Sequence, residues 1–437
     1  MSKAPLVELE DSTKPSLKIA VEGCGHGSLD EIYKAVEASC DSRGWTMADI
    51  DFLLICVRNS LDLNCMSVPR KYRKLGDFHA YYSGEKRAPI LTIVIGGNHE
   101  ASNYFFELYH GGWLAPNIYY MGAANVLRYG PFRIAGLSGI FNRSDYHRPH
   151  HERLPYDRND IRSIYHVRDY DVMKLLKIRQ PVDIGVSHDW PRRVEWFGDY
   201  KKLFGERRHF FESAKENNLG SEPAEQLLNH LRPTYWFSGH MHVKYSATVK
   251  HASAAPVSKS NPSTSLSPGI TNDTTQFLAL DKPGPGRSFL ELVEIKLCSD
   301  ERNESTEQYL EKAPDNKFAL SYDEEWLAIT RYTADALTIQ GSAARSKGQI
   351  WNAHTIEKNL HWVNENITAK GLLKIPDNFE RHAPIYDPSD QGKYDEQPPE
   401  FPNSQTAYFC QLLGIPNKFS MGDDEGEGEE DDGIVFG

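Results

Sequence analysis

Four short apolar runs in this chain end abruptly in residues that bind metal, and a fifth of the same kind does not. Leu17–Val21 leads into Cys24-Gly25-His26, and Ile90–Ile95 leads into Gly97-Asn98-His99-Glu100. Val182–Val186 leads into Ser187-His188-Asp189-Trp190, and Tyr235–Phe237 leads into Gly239-His240-Met241-His242. The fifth run, Asp51–Cys56, ends in nothing that ligates a metal. Runs of this length bounded by glycine read as buried strands. In open α/β sheets, ligands collect beyond the carboxyl ends of the strands. Strand ends that deliver His, Asn and Cys to one place predict a metal site, and the silent end needs an explanation.

A chain of 437 residues has room for one large catalytic domain and a second unit, and 39% hydrophobic residues support a real core. The formal charge of −12 does not by itself mark a nucleic-acid binder. Eight of those charges lie in Asp423–Asp432, which leaves the rest near −4, so local patches matter more than the total. The six cysteines show no Cys-x-x-Cys spacing and no disulfide framework. No run approaches the roughly 18 apolar residues of a membrane span, and the first residues lack a signal-peptide core. The chain therefore reads as intracellular, with reduced thiols and no membrane partner.

Residues 1–16 read as a disordered polar leader. Strands alternate with helical stretches from Leu17 to about His251, the pattern of a layered α/β domain. Residues 252–276 are rich in Ser, Pro, Asn and Thr, a composition that cannot bury enough surface to order itself. They read as a flexible insertion, because strand-like runs resume at Phe277–Leu280 and Phe289–Leu297 and complete the domain at about residue 298. Residues 303–419 are helical and aromatic, with Trp326, Trp351 and Trp362 as expected core anchors of a smaller second domain. Residues 421–437 form an acidic tail that reads as disordered and solvating, with basic proteins as the partner class its charge would suit.

Gly239-His240-Met241-His242 carries the sharpest signal. On extended backbone, residues i and i+2 face one side. Both imidazoles would then address one metal centre while Met241 points away; two surface histidines after a strand are the plain alternative. Asn98 offers a neutral amide oxygen, a hard ligand that leaves charge on the metal to polarise a phosphate. His99 would sit beside the site, which suits a general acid. The same residues could cap a helix beginning near Ala101, whose N-terminus also favours phosphate. His188 adds one imidazole, with Asp189 as its orienting partner. Cys24 and His26 share the i, i+2 relation. A ligating Cys24 would tilt the site toward zinc or ferrous iron over magnesium; a buried free thiol is the equal alternative.

From Asn142 to Arg168 the chain holds six Arg and four His against four Asp/Glu, with Tyr146, Tyr156 and Tyr165 interleaved. Arg on phosphates and aromatic rings under splayed bases is how proteins hold single-stranded or irregular RNA. Arg143, Tyr146, Tyr156, Tyr165, His166 and Arg168 are the candidate substrate contacts; a solvated basic loop is the alternative.

The ordered series strand–Asp/Cys-x-His, strand–Gly-Asp, strand–Gly-Asn-His, strand–His, strand–Gly-His-x-His is the signature of the calcineurin-like metallophosphoesterases. This chain resembles them in four of the five blocks. Finer runs narrow the resemblance: Gly23-Cys24-Gly25-His26-Gly27-Ser28-Leu29-Asp30, Cys65-Met66-Ser67-Val68-Pro69-Arg70-Lys71-Tyr72, Tyr81-Tyr82-Ser83-Gly84 and Gly96-Gly97-Asn98-His99-Glu100-Ala101-Ser102-Asn103. With Gly111-Gly112-Trp113, Ala115-Pro116-Asn117-Ile118-Tyr119-Tyr120 and Ile164-Tyr165-His166-Val167-Arg168, they closely resemble the RNA lariat debranching family. The resemblance runs from about Leu17 to Leu297, and more loosely from Trp326 to Phe419.

It implies an α/β fold, a β-sandwich of two mixed sheets flanked by helices, with a smaller, mainly helical C-terminal domain. It implies a nuclear, metal-dependent hydrolase that opens the 2′,5′-phosphodiester at the branch of excised intron lariat RNA. Two divalent metals are implied, Fe²⁺/Zn²⁺ or Mn²⁺. One would rest on His26, His242 and Cys24, the other on Asn98, His188 and His240. His99 would protonate the leaving 2′-oxygen, and residues 138–168 would be the lariat-recognition loop.

The resemblance also explains the silent strand end. In the family, the strand matching Asp51–Cys56 is followed by Gly-Asp, and that Asp bridges both metals. Here Cys56 runs directly into Val57-Arg58-Asn59. Gly76-Asp77-Phe78 follows a polar stretch with no strand before it, so Asp77 is expected to be a helical surface residue rather than a substitute. Losing a carboxylate from between two cations about 3.5–4 Å apart weakens their binding and slows turnover. The chain is then an erroneous or spliced version of an active enzyme, or an inactive RNA-binding or scaffold protein on the same fold. The persistence of the other ligands favours the former. A protein phosphatase or general nucleotide phosphodiesterase is disfavoured by the Cys-x-His variant and the Arg/Tyr loop.

Overall fold

The computed structural model describes residues 16–25, 27–53, 62–69, 71, 73–252, 270, 272–297, 317–337, 339, 353–389 and 396–419. His26, the junction after Cys56, Trp351, the leader before Ser16, the acidic tail and residues 253–269 of the insertion lie outside them.

The apolar runs are strands, and they assemble into two facing layers. In chain order the strands are β1 Ser16–Glu22, β2 Thr92–Val94, β3 Gly112–Ala115, β4 Ile118–Tyr120, β5 Ala124–Tyr129 and β6 Phe132–Leu137. They continue with β7 Ile184–Ser187, β8 Tyr235–Ser238, β9 Tyr245–Lys250, β10 Thr274–Ala279, β11 Leu290–Lys296 and β12 Leu320–Tyr322. Seven form one mixed sheet in the order β12-β5-β6-β7-β8-β10-β9, parallel from β6 through β10 and antiparallel at both flanks. In the opposite layer β11 pairs antiparallel with β1, while β4 lies between β2 and β3.

Asp51–Leu53 stitches this second layer together. The Asp51 amide donates to Lys18 (2.7 Å), the Ala20 amide to Phe52 (3.1 Å) and the Leu53 amide to Leu91 (2.9 Å), so the run lies between β1 and β2. Ile19, Phe52, Ile93 and Tyr119 from this layer meet Leu127, Ile134, Val186 and Phe237 of the larger sheet in one buried cluster. The expected sandwich of two mixed sheets is therefore present.

Helices cover the outer faces. The helix Leu29–Arg43 turns Leu29, Ile32, Val36 and Cys40 inward at helical spacing. It stops where Gly44 adopts φ 69°, a left-handed position that glycine takes without strain. Outside the larger sheet, Val172, Leu175, Leu227 and Leu228 pack against Val126, Ala135 and Trp236. With both faces covered, β5, β6 and β7 are buried throughout, whereas the edge strand β9 alternates buried and exposed. The tract assigned to the flexible insertion ends three residues early. Thr274, Thr275 and Gln276 already pair with Lys250, Val249 and Thr248, where β-branched threonines suit a strand.

The C-terminal region is mainly helical, with helices Glu324–Thr333, Ala353–Asn366 and Ser404–Leu413. It adds β12 to the β5 edge, and Leu327, Val363, Ile367 and Phe409 join the same core as the sandwich. Trp326 is fully buried, and Trp362 lies under Arg331 at 3.8 Å. A buried ion cluster fastens the junction. Asp323 caps its helix by accepting the Trp326 amide (3.0 Å) and receives two bonds of 2.8 Å from Arg133 on β6. Glu325 takes a further bond from Arg133 (2.9 Å), and Arg128 lies 3.0 Å from Asp323. Among the described residues no helix is long and apolar enough to cross a membrane.

Candidate metal centre and substrate face

The motif loops follow β1, β2, β7 and β8, so both sheets feed one end of the sandwich. His188 Nε2 lies 3.2 Å from Asn98 Oδ1, and the His188 and His240 ring centroids are 5.1 Å apart. The His99 and His242 rings are separated by 6.4 Å. Cys24 is buried, and its sulfur accepts the His240 amide at 3.0 Å. Asn98 and His188, His188 and His240, His99 and His242 are thus paired neighbours, with Cys24 against the His240 backbone.

Glycine permits this closeness. A Cβ on Gly97 would stand 2.5 Å from the His188 ring, and one on Gly239 would stand 3.0 Å from the Cys24 sulfur. A side chain at Gly97 would push the His188 ring aside, and one at Gly239 would strike the Gly23 carbonyl at 2.1 Å, just before Cys24.

The extended backbone expected for His240-Met241-His242 is not what forms. His240 has φ 62° and His242 φ 49°, both left-handed, a conformation that costs a residue with a Cβ. The loop is a tight turn, so the imidazoles are directed by the turn and not by strand alternation. His240 faces His188, His242 faces His99, and Met241 packs against the core beneath the larger sheet.

Two carboxylates that pattern reasoning left without a role hold the loops. Glu22 Oε1 accepts the Cys24 amide at 3.1 Å. Glu100 Oε2 accepts the amides of Gly97 (2.9 Å) and His99 (3.2 Å). Burial raises both, Glu22 well above its usual range, with Glu100 a further cause, and Glu100 to about 7. Glu22, Cys24, Glu100, His188 and Gly239 line one cavity at the strand ends. The available signal was a charged residue closing an otherwise apolar strand.

Burial also shifts the imidazoles. His99 is lowered by desolvation, then by His240 and Lys282; His242 falls to about 4 through desolvation, then Lys282 and His99. Desolvation raises the Cys24 thiol far above its ordinary value, with Glu22 adding to it. The Asp189 carboxylate accepts the amides of Trp190 (2.9 Å) and Phe141 (3.5 Å), tying this strand end to the start of the basic loop.

The donor set fits a divalent metal, since imidazole nitrogens beside an amide oxygen suit first-row ions. Among the described residues, however, no three His, Cys, Asp or Glu side chains draw together around a single point. Asp77 does not fill that gap. It precedes the helix Phe78–Ser83, half-buried, and its two oxygens accept the amides of Leu29 (2.9 Å) and Asp30 (2.7 Å). It is a cap for the helix behind Cys24 rather than the free surface residue expected, because those first-turn amides have no partner within their own helix.

The basic loop divides into outward and inward residues. Arg143 is exposed, while Tyr146 and Tyr165 are half-buried. Tyr156, His166 and Arg168 are buried and serve the loop itself. Arg168, only 1% exposed, donates to Glu152 (2.5 Å), to the Asp145 carbonyl (2.7 Å) and to the Ser163 carbonyl (3.0 Å). His166 bonds Asp145 at 2.7 Å, and Tyr156 packs with Cys65 and Ile164. Arg168 and His166 thus bond within the loop, and Tyr156 packs inside it, so these three help to hold the loop in place. Gln397 clamps the loop from the far end of the chain. Its Oε1 accepts the Tyr156 amide (2.6 Å) and its Nε2 donates to the Tyr156 carbonyl (2.7 Å).

A two-layer fold with candidate ligands beyond its strand ends is the arrangement expected of a metallophosphoesterase. Residues 17–244 match the calcineurin-like phosphoesterase family, whose members use divalent metals. Residues 272–418 match the C-terminal domain of the lariat debranching enzymes. Over 405 residues the chain is 42% identical to a lariat debranching enzyme of Arabidopsis thaliana, covering 92% of this chain and 87% of that protein. It is 43% identical over 409 residues to the lariat debranching enzyme of Homo sapiens (91% and 69% covered). It is 41% identical over 414 residues to lariat debranching enzyme A of Xenopus laevis (91% and 70% covered). The chain belongs to the lariat debranching enzyme family.

Proposed function

We propose that this protein hydrolyses the 2′,5′-phosphodiester at the branch of excised intron lariat RNA, leaving linear RNA. The observation that carries the reading is the meeting of Asn98, His188, His240 and His99 at the strand ends, in a chain of this family. Asn98, His188 and His240 would hold one metal, with His242, Cys24 and His26 assigned to a second. Divalent ions there, Fe²⁺/Zn²⁺ or Mn²⁺, would polarise the phosphate and favour ionisation of the attacking water.

The protein's own residues set the rest. Glu22 and Glu100 fix the two ligand loops through backbone amides. As water oxygen bonds to phosphorus and the P–O2′ bond breaks, His99 gives its ring proton to the departing 2′-oxygen. Burial, then His240 and Lys282, depress that ring, which makes it the stronger acid for that transfer. The exposed Arg143 and the half-buried Tyr146 and Tyr165 would hold phosphate and bases near the branch. Since lariats are made in the nucleus, we propose that the protein acts there.

The test is a synthetic branched RNA with Mn²⁺. Release of the 2′-linked arm with every 3′,5′ linkage intact is expected, and cleavage of linear RNA at comparable rate would overturn the reading. A second reading, an RNA-binding protein without turnover, is favoured by the junction of Cys56 with Val57, where the family has Gly-Asp.

A further inference from the structure

The residues after Trp190 leave an aromatic surface that no described residue covers. Trp196 is 39% exposed, Phe197 47% and Phe211 39%, unusual values for such large rings. They form one cluster: Trp196 lies 5.2 Å from Tyr200 and 5.3 Å from Phe204, and Phe204 lies 5.3 Å from Phe211. Arg193, Lys201, Lys202, Arg208 and Lys215 are exposed among these rings, and Lys215 stands 5.1 Å over Phe211.

Residues 192–215 hold seven Lys/Arg against four Asp/Glu, in a chain whose net charge is −12. One of the four, Glu195, is buried, and so is one of the seven, Arg192, which pairs with Glu222 at 3.1 Å. The patch is therefore locally cationic as well as aromatic. Interfaces with other proteins are depleted of lysine at their centres. Single-stranded nucleic acid wants what is found here, flat rings for its bases and cations along its backbone.

The patch is also fixed to the metal centre. The Tyr245 hydroxyl donates to the Glu195 carbonyl at 2.6 Å, and Trp190 stacks on Tyr245 at 5.4 Å. Trp190 follows His188 by two residues and Tyr245 follows His242 by three. On the near side Arg192 lies 5.5 Å from the Phe141 ring, and Phe141 lies 5.5 Å from Tyr146 of the basic loop. Arg192, itself buried and paired with Glu222, ties the start of this segment to the half-buried Phe141 beside the basic loop.

We propose that the Trp196–Phe211 surface binds an unpaired arm of the branched RNA, a contact separate from the basic loop and from the metal ligands. This rests on the debranching reading, since it names where the substrate's arm lies. The test measures equilibrium binding of the full chain to two fluorescent probes: a branched RNA with arms of about eight nucleotides, and the same branch trimmed to one nucleotide per arm. The quantity read is the ratio of the two affinities. Trp196→Ala is expected to lower that ratio about 5-fold or more, from the stacking lost per base, and Trp196→Phe to retain it. Lys201→Ala with Lys202→Ala is expected to lessen the salt dependence for the long-armed probe by roughly 1.4 in log–log slope. Thermal unfolding at the wild-type midpoint certifies the fold of each variant. Wild-type ratio and slope in these variants would overturn the proposal and leave the patch to a protein partner. If the wild type prefers neither branched probe over a linear RNA, the debranching reading fails, and the arm site with it.

Discussion

Replacing Arg168 by methionine separates two roles that the same residue could have. Sequence pattern made it a phosphate contact; the structure puts its guanidinium 2.5 Å from Glu152, with Arg168 1% exposed and Glu152 also buried. Burial alone would raise the Glu152 carboxyl, but His150, Arg168 and the 2.5 Å bond from Ser163 hold it well below its ordinary range. Arg168→Met keeps the volume and strands that carboxylate without its cation. Breaking a buried pair from one side costs about 3–5 kcal/mol, and the neighbouring His150 and Ser163 place the expectation near the lower figure. Urea unfolding should show the loss as a lower midpoint at constant slope. The double variant Arg168→Met/Glu152→Gln should recover most of it, because no buried charge remains. A stability within about 0.5 kcal/mol of wild type, with RNA affinity lost and its salt slope reduced, would mean that Arg168 holds phosphate and that the inward assignment is wrong.

Other consequences follow from the same geometry. Gln397→Ala removes both bonds to Tyr156, each worth about 1 kcal/mol. Amide exchange across 152–158 should quicken and branched-RNA affinity should drop; unchanged exchange would show that the clamp is idle. Asp323 is lowered to about 2 because the Arg133 and Arg128 charges outweigh its burial. Its folded value lies below its unfolded one, so its contribution of about 2 kcal/mol holds above pH 4 and fades as pH falls toward 2. The Asp323→Asn variant should be less stable at pH 7 and differ least from wild type near pH 2. A constant difference across that range would count against the cluster's ionic character.

What could be read from the chain was whatever local pattern determines. Apolar runs ending in glycine and histidine located the strands and the end of the sheet where ligands gather. The i, i+2 reasoning for His240 and His242 reached the right neighbourhood through the wrong backbone, since positive φ at histidine has no sequence mark. Arg168 was misplaced because a basic residue in a basic loop looks outward unless its partner is known, and Glu152 lies sixteen residues away. Asp77 capping Leu29 and Gln397 clamping Tyr156 are long-range pairings, which periodicity does not encode. Likewise β12 reads as part of a separate domain until its pairing with β5 is seen.

The most direct measurement compares the chain as written with one carrying Gly-Asp restored after Cys56, both loaded with Mn²⁺ and given the same 2′,5′-branched RNA. Both should bind the branch, and the restored chain should release the 2′ arm far faster while sparing 3′,5′ bonds. Equal and rapid cleavage by the two chains would contradict the account, because it would mean that no carboxylate is needed at the position where we propose one is missing.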